Sequence, residues 1–141
     1  MKRLFFSLLP FFITGCFQTR EDQSMTVQIR SSKKTNRGTP LYVIVKETTM
    51  AEFLIDDYHE IATQSFWKGE DESKLLKKVL VPAKTDKLTV PLPGKEKSVG
   101  LYFIFTSPGE CWKFIVDDPD SKKVKVLLGE DQYEAINVYP S

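Results

Sequence analysis

Short apolar runs of period two, broken by turn-forming residues every eight to twelve positions, constrain this chain more than any other feature. Val27 and Ile29 alternate with Thr26, Gln28 and Arg30, which predicts a strand over about 25–31. In 41–47, Leu41, Val43 and Val45 alternate with Tyr42 and Ile44. Both faces are apolar, so this strand belongs at the centre of a sheet. Further strands are expected over 75–81, 88–92, 99–106, 112–116, 124–128 and 133–138. Pro91 pushes its strand toward an edge or a bulge, since proline lacks the amide a ladder needs. The run VGLYFIFT (99–106) is almost wholly apolar, so this strand is expected to be buried on both faces or to sit at the sheet centre. Turns are signalled at Pro93-Gly94, Ser107-Pro-Gly109, Asp118-Pro-Asp120 and Gly129-Glu-Asp131.

One helical stretch interrupts this pattern. Thr49-Met-Ala-Glu52 fits a capping box, and Met50, Phe53, Leu54, Tyr58 and Ile61 follow at helical spacing. A break is expected after Ala62, or a turn at Asp56-Asp57; residues 65–74 read as a loop. About eight strands and one helical insertion, with no strand–helix–strand rhythm, make an all-β sandwich.

The first residues stand outside that domain. Lys2 and Arg3 precede an apolar stretch, Leu4 to Ile13, of signal-peptide length and too short for a permanent membrane span. It ends Ile-Thr-Gly-Cys16, which resembles the bacterial lipobox. Small residues there admit the backbone to a peptidase cleft, and the thiol is the nucleophile that accepts the lipid. The expected organisation is a signal peptide over 1–15, an acylated tether over 16–24 and a sandwich over 25–141. Cys16 would carry a diacylglycerol and an N-acyl chain. A plain secretory signal is the alternative, and a Cys16–Cys111 disulfide then becomes open in an oxidising compartment. Phe17 follows the cysteine where an Asp would signal inner-membrane retention in enteric bacteria, so the expected site is the outer membrane, on its periplasmic face.

The 141 residues suit one domain, and a formal net charge of +1 gives no electrostatic footprint for nucleic acid. Removing residues 1–15 takes away Lys2 and Arg3 and no acid, leaving −1. Catalytic chemistry finds no support. The single histidine, His59, stands on the expected helix without a second ligand at metal spacing. Cys111 has no sequence partner that marks a thiol enzyme. Asp56 and Asp57 are adjacent and point apart on a helix, and Asp117, Asp118 and Asp120 read as a solvated turn rather than a calcium site. No cofactor, metal or catalytic residue is expected. What remains is the polar segment SSKKTNRGTP (31–40), longer than a tight hairpin needs and carrying Lys33, Lys34 and Arg37. A rigid sandwich presents specificity on such loops, and a solvated loop is the plain alternative.

The order of motifs resembles the TssJ (SciN) family, outer-membrane lipoproteins of the type VI secretion system (T6SS). The residues carrying it are NRGTPLYVIVKE, FLIDDYHEI, VPAKTDKLTVPLP and VGLYFIFTSPGECWKFIVD. Together they cover most of the mature chain. Gly38 and Pro40 stand one residue closer than in the family pattern, Asn36 matches the loop Asn loosely, and Thr106 replaces a frequent Arg. The resemblance implies a transthyretin-like sandwich and a non-enzymatic structural role. It implies docking on the periplasmic domain of a TssM-like protein, with TssL in the same complex. Carried over by position, the partner-binding segment is Ser32, Lys33, Lys34, Thr35, Asn36, Arg37, Gly38 and Thr39, with Lys33, Lys34, Asn36 and Arg37 as foremost contacts. A pilotin-like or small-ligand-binding periplasmic lipoprotein is the alternative.

Overall fold

A computed structural model describes residues 23–67, 74–92 and 98–140. The expected signal peptide, the lipobox Cys16, most of the tether, the Pro93-Gly94 turn and residues 68–73 lie outside the described residues. Eight strands run in the order β1 (Ser24–Arg30), β2 (Leu41–Thr48), β3 (Lys74–Leu80), β4 (Thr85–Pro91), β5 (Ser98–Ile104), β6 (Lys113–Val116), β7 (Lys122–Leu128) and β8 (Tyr133–Pro140). Two helices, α1 (Met50–Ile55) and α2 (Tyr58–Trp67), follow β2. The strands form two four-stranded sheets, β4-β1-β7-β8 and β3-β2-β5-β6. Every pairing is antiparallel except β1 with β7, which run parallel.

The period-two residues make the core between the sheets. Met25, Val27 and Ile29 of β1 meet Val43 and Val45 of β2, Leu101 and Phe103 of β5, and Val124 and Val126 of β7. Burying side chains of this size stabilises a fold by roughly 1.5–3 kcal/mol each. β2 and β5 are central, as their doubly apolar sequences require. Their second apolar set, Ile44, Tyr102 and Ile104, faces the other way and forms a second cluster with Phe53 of α1 and Ile61 of α2. β4 is an edge strand, which lets it end at Pro91 without losing a ladder bond.

The helical insertion breaks at Asp56-Asp57, one of the two places expected, and so forms two short helices. The cap is as predicted, with the Glu52 amide donating to Thr49 Oγ1 at 3.2 Å. Glu52, however, accepts from the Thr48 hydroxyl instead of closing the box. The chain leaves the helix at Asp56, whose ψ of 114° is extended, and re-enters at Tyr58. Lys113 of β6 reaches over and donates to the carbonyls of Phe53 and Asp56, satisfying the end of α1. α2 then continues to Trp67, so residues 65–67, expected in a loop, are helical. The expected loop was read from the polar residues of 65–74, among which Phe66 and Trp67 are the exceptions.

Candidate docking surface at the loop end

The predicted docking segment lies between β1 and β2, at the end of the sandwich where four connections meet. Ser31 N donates to Lys84 O in the β3–β4 turn at 3.2 Å. Ala83 N in the same turn donates to Ser32 O at 3.2 Å. Asn36 N donates to Glu130 O in the β7–β8 turn at 2.9 Å. The backbone amide of Thr106, just past β5, donates to Asn36 Oδ1 at 2.9 Å. One residue, Asn36, therefore fastens the segment to two neighbouring connections.

The local backbone explains why Asn stands there. Asn36, Arg37 and Gly38 take φ of 50°, 55° and 77°, all left-handed. Each non-glycine residue in that region costs roughly 1–2 kcal/mol, and Asn tolerates it best. Asn36 offsets the cost with its amide, whose Nδ2 donates to Thr39 O and Pro40 O, both at 3.1 Å. Thr35 Oγ1 accepts from Ser32 N at 3.0 Å and donates to Leu128 O at 3.3 Å. Every strong polar group of these two side chains is used inside the protein.

The structure thus divides the eight predicted residues. Thr35 and Asn36 are buried, at 0% and 4% exposure. Asn36, expected among the foremost contacts, is a fastener of the loop, because its amide is spent on three backbone groups. Ser32, Lys33, Lys34, Arg37, Gly38 and Thr39 are exposed. Arg37 Nε lies 3.6 Å from Glu130 Oε1 with both side chains largely in water, a contact worth at most about 1 kcal/mol. Glu130 and Asp131 of the β7–β8 turn and Glu110 of the β5–β6 connection are exposed on the same end. Sequence reading treated Gly129-Glu-Asp131 only as a separator, since no local signal places that turn beside residue 36.

Other residues weighed for chemistry are placed away from this end or occupied structurally. His59 is exposed on α2, its amide donating to Asp57 Oδ2 at 3.1 Å. Cys111 is a half-buried free thiol whose amide donates to Gln132 Oε1 and whose carbonyl accepts from Tyr133 N. Asp117, Asp118 and Asp120 form the β6–β7 turn at the opposite end, where Ser121 N donates to Ser24 O. Burial raises the phenols of Tyr58, Tyr102 and Tyr133 above the ordinary tyrosine range, and Asp56 raises Tyr102 further.

The two ends are separated by the length of β1. Its seven residues span about 20 Å from the entry of the described chain to the loop end.

The family model described as "IglE, N-terminal domain" matches residues 42–128. No curated protein matches the sequence. Among solved structures, the T6SS lipoprotein TssJ1 from Pseudomonas aeruginosa is 16% identical with a TM-score of 0.65, covering 85% of this chain and 98% of that one. Serratia marcescens Lip, a membrane-bound component of the T6SS, is 15% identical with a TM-score of 0.63 over 85% and 98%. A chain in a structure of the T6SS protein TssM C-terminal domain (869–1107) from EAEC is 15% identical, with a TM-score of 0.64 over 84% and 99%. The sandwich inferred from strand periodicity is thus the fold of TssJ1 and Lip, and by its match over residues 42–128 the chain belongs to the IglE N-terminal domain family.

Proposed function

We propose that this protein is a lipid-anchored structural component of a T6SS membrane complex. Acyl chains on Cys16 would hold it to the periplasmic face of the outer membrane. The exposed part of the 32–39 loop would grip the periplasmic domain of a TssM-like partner, with TssL in the same assembly. The reading is non-enzymatic: the work is mechanical, a link between a bilayer and a protein that crosses the periplasm.

The observation that carries it is the disposition of the two ends. The chain enters at one end of β1, and the fastened loop stands about 20 Å away at the other. A domain hung by its N-terminus would present Lys33, Lys34 and Arg37 away from the membrane, on a backbone that does not have to be ordered when the partner arrives. Pre-ordering removes part of the entropy cost of association. The fold shared with the T6SS lipoproteins TssJ1 and Lip adds support.

Triple charge reversal, Lys33→Glu, Lys34→Glu and Arg37→Glu, tests the loop. We expect binding to the TssM-like periplasmic domain to fall at least tenfold, with the thermal midpoint unchanged. Equal affinity for wild type and variant would remove the loop from the interface. Cys16→Ser tests the anchor separately: the protein should leave the membrane fraction and become soluble in the periplasm, and labelling with a clickable fatty acid should vanish.

A further inference from the structure

The outer faces of the two sheets are unlike. α1 and α2 lie over the outer face of β2 and β5. Over the other sheet, no described element packs on the outer face.

Registers define what that open face presents. One row is Thr89, Thr26, Lys123 and Tyr139; the next is Lys87, Gln28, Lys125 and Asn137; the third is Thr85, Arg30, Leu127 and Ala135. Four cations, Arg30, Lys87, Lys123 and Lys125, share these rows with no carboxylate. Lys125 Nζ stands 5.7 Å above the Tyr139 ring. Asp86, on β4, points to the other side of its strand and meets Lys78 at 3.4 Å. Glu134 sits at the bulge in the β7–β8 pairing, beside Gly129. In a chain with 20 basic and 19 acidic residues, this face is a local excess of positive charge.

The excess does not stop at the sheet. Arg30 leads into Ser31, whose hydroxyl donates to Lys84 O at 3.1 Å. Lys33 and Lys34 follow in the loop, and the acids at that end, Glu110, Glu130 and Asp131, belong to the β5–β6 and β7–β8 connections. A basic strip therefore runs from the middle of the open sheet face onto the docking loop. We infer that the outer face of the β4-β1-β7-β8 sheet is a second docking surface, taking an acidic surface of the same partner protein that the loop grips. This rests on the docking reading above.

A protein fits better than a bilayer. In the anchored reading the entry end is nearest the membrane, and it carries Asp117, Asp118 and Asp120, which anionic headgroups repel. A face-down domain would also lay the loop along the membrane. An acidic protein surface reaching down from the loop meets neither obstacle. Its contribution is electrostatic steering, long in range and weakened by salt.

The test uses the mature lipoprotein in detergent and the TssM-like periplasmic domain. The pair Lys123→Glu and Lys125→Glu should lower affinity about tenfold at 0.15 M salt, mainly through the association rate, and the deficit should shrink at 0.5 M. Lys87→Glu, on an edge strand, gives the same result in smaller measure and guards against a folding defect in the pair. If these variants bind as wild type does while the loop reversal abolishes binding, the face is overturned and the loop stands. If wild type fails to bind the domain at all, the docking reading falls and this falls with it. Capture of the Cys16→Ser protein by phosphatidylglycerol vesicles, lost when Lys123→Glu and Lys125→Glu are added to it, would overturn the inference in favour of a lipid surface.

Discussion

The helix-covered face and the β1–β2 loop are both ordered, by opposite means. Under α1 and α2 the order comes from apolar area. Ile44, Tyr102 and Ile104 are buried against Phe53 and Ile61, with Tyr58 and Trp112 packed ring edge to face at 5.1 Å. Polar groups there meet one another or a backbone carbonyl: the Tyr102 hydroxyl donates to Asp56 Oδ2 at 2.6 Å, Lys46 Nζ lies 3.5 Å from the same oxygen, and the Tyr58 hydroxyl donates to Phe105 O. At the loop, Thr35 and Asn36 are the buried side chains of the segment. Its order comes from hydrogen bonds to other backbones and from a left-handed turn that Asn and Gly accept. A loop held this way can keep its charged side chains in water and still be rigid. A loop held by apolar burial would have to turn those side chains over to a core.

Mutations separate the two mechanisms. The largest effect should come from Tyr102→Ala, which empties a fully buried aromatic site and should cost about 3–5 kcal/mol in urea unfolding. Tyr102→Phe keeps the packing and should cost about 1–2 kcal/mol, the hydroxyl's bond to Asp56. The same phenol supplies a pH signature. Its folded pKa is raised by burial and then by Asp56, so the stabilisation is present below pH 10 and lost as pH rises beyond it. Tyr102→Phe should flatten that alkaline decline; an unchanged slope would remove Tyr102 from it.

Asn36→Ala comes next. It strands the Thr106 amide and two carbonyls and leaves Ala in a left-handed position, for about 2–3 kcal/mol. Partner affinity should fall with it, although Asn36 is buried. A neutral Asn36→Ala would mean that the loop owes its order to something other than these bonds. Gly38→Ala should cost about 1 kcal/mol, for conformational reasons alone, because the nearest atom to a new Cβ is Lys33 O at an ordinary 3.6 Å. Smallest is the stability effect of Lys33→Glu with Lys34→Glu, within about 0.5 kcal/mol. That pair should report on binding while leaving the unfolding midpoint alone, the reverse of Tyr102→Ala.

Much of the fold was legible because strand burial is written with period two. Val27 and Ile29, Val43 and Val45, Val124 and Val126 each mark a core face on their own. β4 was harder: its start, Thr85-Asp-Lys87, is polar because it begins an edge strand, and the alternation of Leu88, Val90 and Leu92 marked only its second half. Residues 65–67 were misread because Phe66 and Trp67 are followed by the polar run 68–74, and two aromatics alone do not mark where a helix ends. In the candidate site, the basic residues Lys33, Lys34 and Arg37 were visible, since exposed charge needs no neighbour to be recognised.

The sequence alone determined the number and order of strands, the doubly covered centre of β2 and β5, and the capped start of α1 at Thr49. Those depend on residues within a few positions of one another. Only the tertiary structure decided that β1 lies parallel to β7, and that the buried amide of Asn36 fastens the loop. It also placed Glu130 and Thr106 beside residue 36 and gathered Arg30, Lys87, Lys123 and Lys125 on one open face. Each of those facts joins residues far apart in the chain, and side-chain chemistry read along a line carries no record of which distant backbone a donor will meet.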